Sequence, residues 1–225
     1  MDVLFFSGID GGGDSQWPVQ ADGLASSDRR LIFVDPNTLE GGPAEHAAHG
    51  LGLTPGDVHI LGHSYGGITA SLAADKAGPR IKSLTLFEPA CMAISTDRPA
   101  TKALLADMIP ALDQALREGI SDAELAIRMF DIKGQEADPD DPNLAQVGAN
   151  FRAWGPMWTH PVDVSVYGRV PTLVVTGGWD VHFDEYADVI AGAGARHVVL
   201  TGFGHRPQDH PGANDLIEGH WRGVA

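Results

Sequence analysis

Short apolar runs recur along the chain, each broken off by glycine, proline or aspartate. They are Val3–Phe6, Leu31–Val34, Val58–Leu61, Ile81–Phe87, Thr172–Val175 and His197–Leu200. These runs are too short for typical helices, rich in β-branched residues and mostly continuous rather than alternating. That is the pattern of strands buried on both faces of a parallel sheet. Between several of them the apolar spacing turns helical, most clearly over Ile68–Ala77, which the helix-stop pair Gly78-Pro79 closes. Alternation of this kind predicts an α/β fold: an open, mostly parallel sheet of about six strands with helices on both faces.

The alternation breaks over residues 92–167, where the pattern is helical without strands. Thr101–Gly119 carries apolar residues at Ala103, Leu104, Met108, Ala111, Leu112, Ala115 and Leu116, with Pro110 as a kink point. Ser121-Asp122-Ala123-Glu124 is a capping box that opens a second helix through Lys133. An acidic loop, 135–142, precedes a third helical stretch, Asn143–Trp158. The predicted organisation is a core of residues 1–91 and 168–225 with a helical cap, 92–167, inserted into it.

Composition narrows the functional classes. The chain has 225 residues, with 15 Lys+Arg against 30 Asp+Glu and a formal net charge of −15. That balance argues against a nucleic-acid partner and against an anionic membrane surface. No apolar run approaches the roughly 20 residues of a membrane span, and Asp2 stands where a signal peptide would be basic. A cytoplasmic location is therefore expected. The one cysteine, Cys91, excludes an intramolecular disulfide and a cysteine-based zinc site. His46 and His49 have metal-like spacing but suggest no third ligand, so they are read as a solvated helix face and no metal is expected.

The chemical signal is Val58-His59-Ile60-Leu61-Gly62-His63-Ser64-Tyr65-Gly66-Gly67. It reads as a strand, then G-x-S-x-G, then a helix. A serine between strand and helix sits on a sharp turn that lifts its hydroxyl above the sheet, and Gly62 and Gly66 remove side chains that would clash there. The amide of Tyr65 opens the helix and can face a developing oxyanion.

On these residues the chain resembles the α/β-hydrolase family, in which GHSYGG is a common form of the nucleophile elbow. The family order, serine then acid then histidine, implies Ser64 as nucleophile, Asp180 as orienting acid and His205 as base. Asp180 follows Val170–Gly178 just past the glycines that end a strand, and His205 lies in the loop Gly202-Phe203-Gly204-His205. The chemistry requires such a set. A serine hydroxyl is a poor nucleophile until an imidazole takes its proton, and the imidazole needs an anion to fix its tautomer. Asp184 and Glu88 are alternative acids, because Glu88 ends the run Ile81–Phe87 and some family members draw the acid from that strand.

The resemblance also implies an oxyanion hole built from the amides of Ile9 and Tyr65. The family's usual His-Gly is replaced here by Ser7-Gly8, and Asp10 stands where proline is often found. The family's first two strands have no counterpart ahead of Val3–Phe6. Its strand order puts Leu31–Val34 at an edge, as a candidate surface for pairing with a second copy. It places Ile9 and Ser64 on either side of the point where the sheet reverses direction, the usual ligand position in open α/β sheets. Trp154, Met157 and Trp158 of the cap, together with His182, are candidate substrate-binding residues. The expected function is hydrolysis of a small, largely apolar ester, thioester or lactone through an acyl-enzyme, with no cofactor. Cleavage or lyase chemistry at a C–C bond, and a non-catalytic ligand-binding role, are the alternatives.

Overall fold

The computed structural model describes residues 1–135 and 137–224. Six strands form one sheet among these residues: β1 (Asp2–Phe6), β2 (Arg30–Val34), β3 (Val58–His63), β4 (Ile81–Phe87), β5 (Thr172–Thr176) and β6 (Arg196–Val199). Their order is β2-β1-β3-β4-β5-β6 and every pairing is parallel. The helices are α1 (Pro18–Gly23), α2 (Pro43–Gly52), α3 (Tyr65–Ala77), α4 (Pro99–Glu118), α5 (Asp122–Ile132), α6 (Leu144–Trp154), α7 (Val166–Arg169), α8 (Val181–Gly192) and α9 (Ala213–Arg222). The predicted sheet and its edge strand β2 are both present.

The continuous apolar runs have a direct cause. Along β1, Leu4 and Phe6 pack into one core while Val3 and Phe5 pack into another, and along β5 Val174 separates from Leu173 and Val175 in the same way. Successive side chains of a strand point to opposite faces, so a strand covered on both faces must be apolar throughout. One core holds Ile68, Ala70, Ala73 and Ala74 of α3 with Tyr186 and Ile190 of α8; the other holds Ala213, Ile217 and Trp221 of α9 with Trp17 and Leu24. Strand β2 is exposed at Arg30, half-buried over Leu31–Phe33 and buried only at Val34.

Register positions the site. Phe6 of β1 pairs with Val34 on one side and Gly62 on the other, so β1 and β2 end level and β3 runs one residue further, to His63. The chain leaves β1 toward β2 and then crosses back over β1 to β3, and the switch point lies above that pair.

Between β4 and β5 the chain is helical, as the pattern predicts. α4 runs through Pro110 and stops at Gly119, which takes a left-handed φ of 63°. The Ser121–Glu124 capping box starts α5, with the Ser121 hydroxyl accepting from the Glu124 amide and Glu124 accepting from the Ser121 amide. The third helix, α6, is shorter than its apolar spacing predicts. It ends at Trp154 because Gly155 turns to φ 82°, and a separate 3₁₀ turn, Met157–Thr159, follows.

Candidate active site

Ser64 lies between β3 and α3 at φ 53° and ψ −124°. A non-glycine residue with positive φ is held there by its surroundings. The Ser64 amide donates to the Phe87 carbonyl at 3.0 Å, and its own carbonyl accepts from Gly67 and Ala90, each at 2.9 Å. The flanking glycines are sterically required. A Cβ on Gly66 would collide with the carbonyl oxygens of Phe6 and Ser7, and one on Gly62 would meet the Gly66 carbonyl and the Ala70 side chain.

His205 reaches the elbow from the loop after β6. Its Nε2 lies 2.9 Å from the Ser64 hydroxyl. The imidazole lies in aromatic surroundings, tilted against Phe183 and His63, whose ring centroids are each 4.8 Å away, and edge-on to Trp179 at 6.1 Å. His63 Nε2 lies 2.8 Å from the backbone carbonyl of His205 and holds that loop. Burial, Lys133 and Arg206 push the His205 pKa down while Asp180 pulls it up, so the imidazole is neutral near pH 7 and able to accept a proton.

The other imidazole nitrogen, Nδ1, faces Glu88 rather than Asp180, with Oε2 of Glu88 at 3.4 Å. Glu88 immediately follows β4 and is fully buried, at φ 43°. Its two oxygens accept from the Gly177 amide and, at 3.1 Å, from the Trp179 indole. Burial raises its pKa to about 7 against those two donors. Asp180 is turned elsewhere: Oδ1 accepts from the His182 amide at 2.9 Å and meets His182 Nδ1 at 2.6 Å. It caps α8, and capping engages Oδ1 within that helix's first turn. The structure thus corrects the expected contact from Asp180 to Glu88. Asp184 lies within α8 with a buried Oδ1 that has no hydrogen-bond partner among the described residues.

Ile9 lies across from the elbow. Its carbonyl accepts from Asn150 Nδ2 of α6 at 2.6 Å, and the same nitrogen donates to Asn37 at 2.8 Å. Neither the Ile9 amide nor the Tyr65 amide meets an acceptor among the described residues. The Tyr65 hydroxyl turns the other way, donating to the Gly155 carbonyl at 2.7 Å and lying 2.8 Å from His160 Nε2.

A cavity of about 320 Å³ opens over Ser64 and His205. Ile9, Tyr65, Ala90, Phe130, Phe151 and Met157 form its less polar wall, and Asp10, Lys133, Gln135, Asp141 and Arg206 also line it. Of the four expected substrate-binding residues, Met157 lines the cavity and Trp154, Trp158 and His182 do not. Trp154 is buried behind the site, against Tyr65 at 5.4 Å and edge-on to His46 at 5.2 Å. That contact also corrects the solvated face expected for His46, which is buried. Phe130 and Phe151 take the place expected of the tryptophans. Asn150 of α6 and Lys133 at the end of α5 carried no distinguishing signal in the sequence.

The fold and this arrangement define a hydrolase of the α/β class. The family model described as the alpha/beta hydrolase family matches residues 11–214, and the chain belongs to that family. Solved structures agree on the fold. An alpha/beta hydrolase from Sphaerobacter thermophilus superposes with a TM-score of 0.67 at 21% identity, covering 96% of this chain and 91% of that one. A carboxylesterase structure from Nitrososphaera gargenis gives 0.64 at 17% identity, covering 99% and 90%. A thermophilic esterase from Thermogutta terrifontis gives 0.56 at 23% identity, covering 100% and 90%. None of the curated proteins matches the chain in sequence.

Proposed function

We propose that the chain is a serine hydrolase that opens a small ester, thioester or lactone with a largely apolar acyl part, through an acyl-enzyme. The observation that carries this reading is the 2.9 Å contact between His205 Nε2 and the Ser64 hydroxyl, on an elbow strained at Ser64 and roofed by a small, mainly apolar cavity. His205 takes the hydroxyl proton as Ser64 attacks the acyl carbon, then returns it to the leaving atom; water repeats the cycle to release the acid. Glu88 fixes the imidazole with its proton on Nδ1 and stabilises the imidazolium that forms. The amides of Ile9 and Tyr65 receive the oxyanion. Residues 92–167 act as the cap over a core of 1–91 and 168–225, supplying Phe130, Phe151 and Met157 to the acyl pocket. The esterase structures sharing this fold are consistent with that chemistry.

A fluorophosphonate probe tests the reading. It is expected to label the wild-type protein at Ser64 and to leave Ser64→Ala unlabelled. Folded wild-type protein that resists the probe and turns over no p-nitrophenyl ester would overturn it.

A further inference from the structure

One cation of the cap belongs to the cavity rather than to the surface. Lys133 stands at the C-terminal cap of α5 and lines the cavity. Lysine at such an end is commonly spent on the last carbonyls of the helix. Here the ammonium makes no hydrogen bond and no ion pair within 4.0 Å among the described residues. It instead lies 4.9 Å from the centre of the Phe183 ring, which packs 4.8 Å from the His205 ring. Its enclosure lowers its pKa, while Asp180 and Glu88 beyond the ring draw it up. An enclosed ammonium loses hydration that a ring face replaces only in part.

The other charges of the cavity are differently placed. Arg206 is held by Asp209 and by Gln16, at 2.7 Å from the Gln16 side chain. Asp141 accepts from the amide and the side chain of Asn143 at 2.9 and 3.0 Å. Asp10 belongs to the Ile9 side: its Oδ1 would come 2.9 Å from a Cβ on Gly8, a position 3.3 Å from the Ser64 Cβ. The cavity is therefore polarised, with a carboxyl group beside the oxyanion loop and, on the His205 side, an ammonium that has no ion-pair partner among the described residues.

We propose that Lys133 selects substrates whose leaving group carries a carboxylate. This rests on the serine-hydrolase reading, because that mechanism fixes which part of a substrate lies where. His205 Nε2 must protonate the leaving atom, so the leaving group lies on the imidazole side, within the field of Lys133. The acyl carbonyl lies toward the Ile9 and Tyr65 amides. The net charge of −15 works against anionic ligands at long range, but charges separated by more than about 8 Å are largely screened at physiological ionic strength. The Lys133 ammonium lines the cavity itself and acts on a ligand inside it. A carboxylate there forms a charge-assisted hydrogen bond with the half-buried Lys133 ammonium.

The test compares 4-butanoyloxybenzoate with 4-butanoyloxybenzamide, esters with the same acyl group whose leaving groups differ in charge. 4-Nitrophenyl hemiglutarate places the charge on the acyl side instead. Rates are read at pH 8 and fixed ionic strength, with fluorophosphonate labelling of Ser64 in parallel. The wild type is expected to favour the benzoate over the benzamide in kcat/KM. Lys133→Met is expected to lower that ratio about tenfold or more, mainly through KM, with Lys133→Arg retaining most of it. The hemiglutarate is expected to gain nothing from Lys133. A ratio that Lys133→Met leaves unchanged, in protein that labels and turns over the benzamide, overturns the inference and spares the hydrolase reading. A loss confined to the hemiglutarate also overturns it. Protein that neither labels nor turns over any ester overturns both.

Discussion

The loops after β4 and β5 each bring a buried carboxylate close to His205, and they use it in different ways. After β4, Glu88 adopts a positive φ, receives the Gly177 amide and the Trp179 indole, and keeps Oε2 open to the imidazole. After β5, Asp180 adopts an ordinary extended conformation and gives its Oδ1 to the first turn of α8 and to the ring of His182. The first carboxylate is strained and desolvated, the second is a helix cap. Position after a strand therefore brings an acid to the neighbourhood of the base, and the backbone conformation there decides whether it turns to meet it.

Exchanging the charges one at a time gives the sharpest contrast. Glu88→Gln keeps the shape and removes the anion, so kcat is expected to fall by about 10²–10⁴-fold with folding retained. Asp180→Asn is expected to lower kcat less than about tenfold, since only a through-space influence on His205 is lost. Steady-state kinetics on a p-nitrophenyl ester reads both, and the reverse ranking would return the orienting role to Asp180.

The pH profile separates the two acids again. Burial raises Glu88 to about 7, so kcat/KM is expected to decline on acidification through that region as the carboxylate is protonated and stops holding the imidazole. In Glu88→Gln the residual activity depends on His205 alone, whose pKa is lowered, and its acidic limb is expected at lower pH. An identical limb in both proteins would show that Glu88 does not set it.

Smaller effects fall on stability. Asp180→Asn weakens the cap of α8 and its pairing with His182, at a cost of about 1 kcal/mol or less. Calorimetry should then show Tm lower by up to about 2–4 °C. Acid denaturation supplies the background for the pH measurements. His59 is buried against Trp221 and hydrogen-bonded to Ser83, and burial lowers its pKa from 6.5 to about 4. The unfolded chain binds that proton first, so stability present above pH 6.5 is lost on acidification toward 4, at up to about 1.4 kcal/mol per pH unit for this one group. Urea titrations across that range should give a shallower pH dependence in His59→Phe, which keeps an aromatic ring against Trp221 without the titration.

Much of the architecture was legible because it follows from short stretches of sequence. Continuous apolar runs fix strands covered on both faces, and the glycines around Ser64 fix the elbow. A glycine-flanked loop after the last strand is enough to bring His205 to it. The remainder depended on contacts between distant segments. Nothing in Phe87-Glu88-Pro89 reveals the left-handed turn at Glu88, and nothing after Gly178 reveals that the α8 cap occupies Asp180. In α6 the residues Phe151 and Trp154 share a helical face by spacing. Only docking against Tyr65 and His46 sends Trp154 behind the site and leaves Phe151 in the cavity. The same docking buries His46, whose helix face looks solvated when considered alone.

Tyr65 joins two requirements in one residue. Its amide opens α3 next to Ser64, and its hydroxyl is tethered to Gly155 and His160, just beyond α6. The segment 155–160, which brings Met157 to the cavity, is thus mechanically linked to the turn that carries Ser64. Remodelling residues 155–160 to admit a bulkier acyl chain would tug on the first turn of α3, so changes in substrate range and in turnover should arrive together.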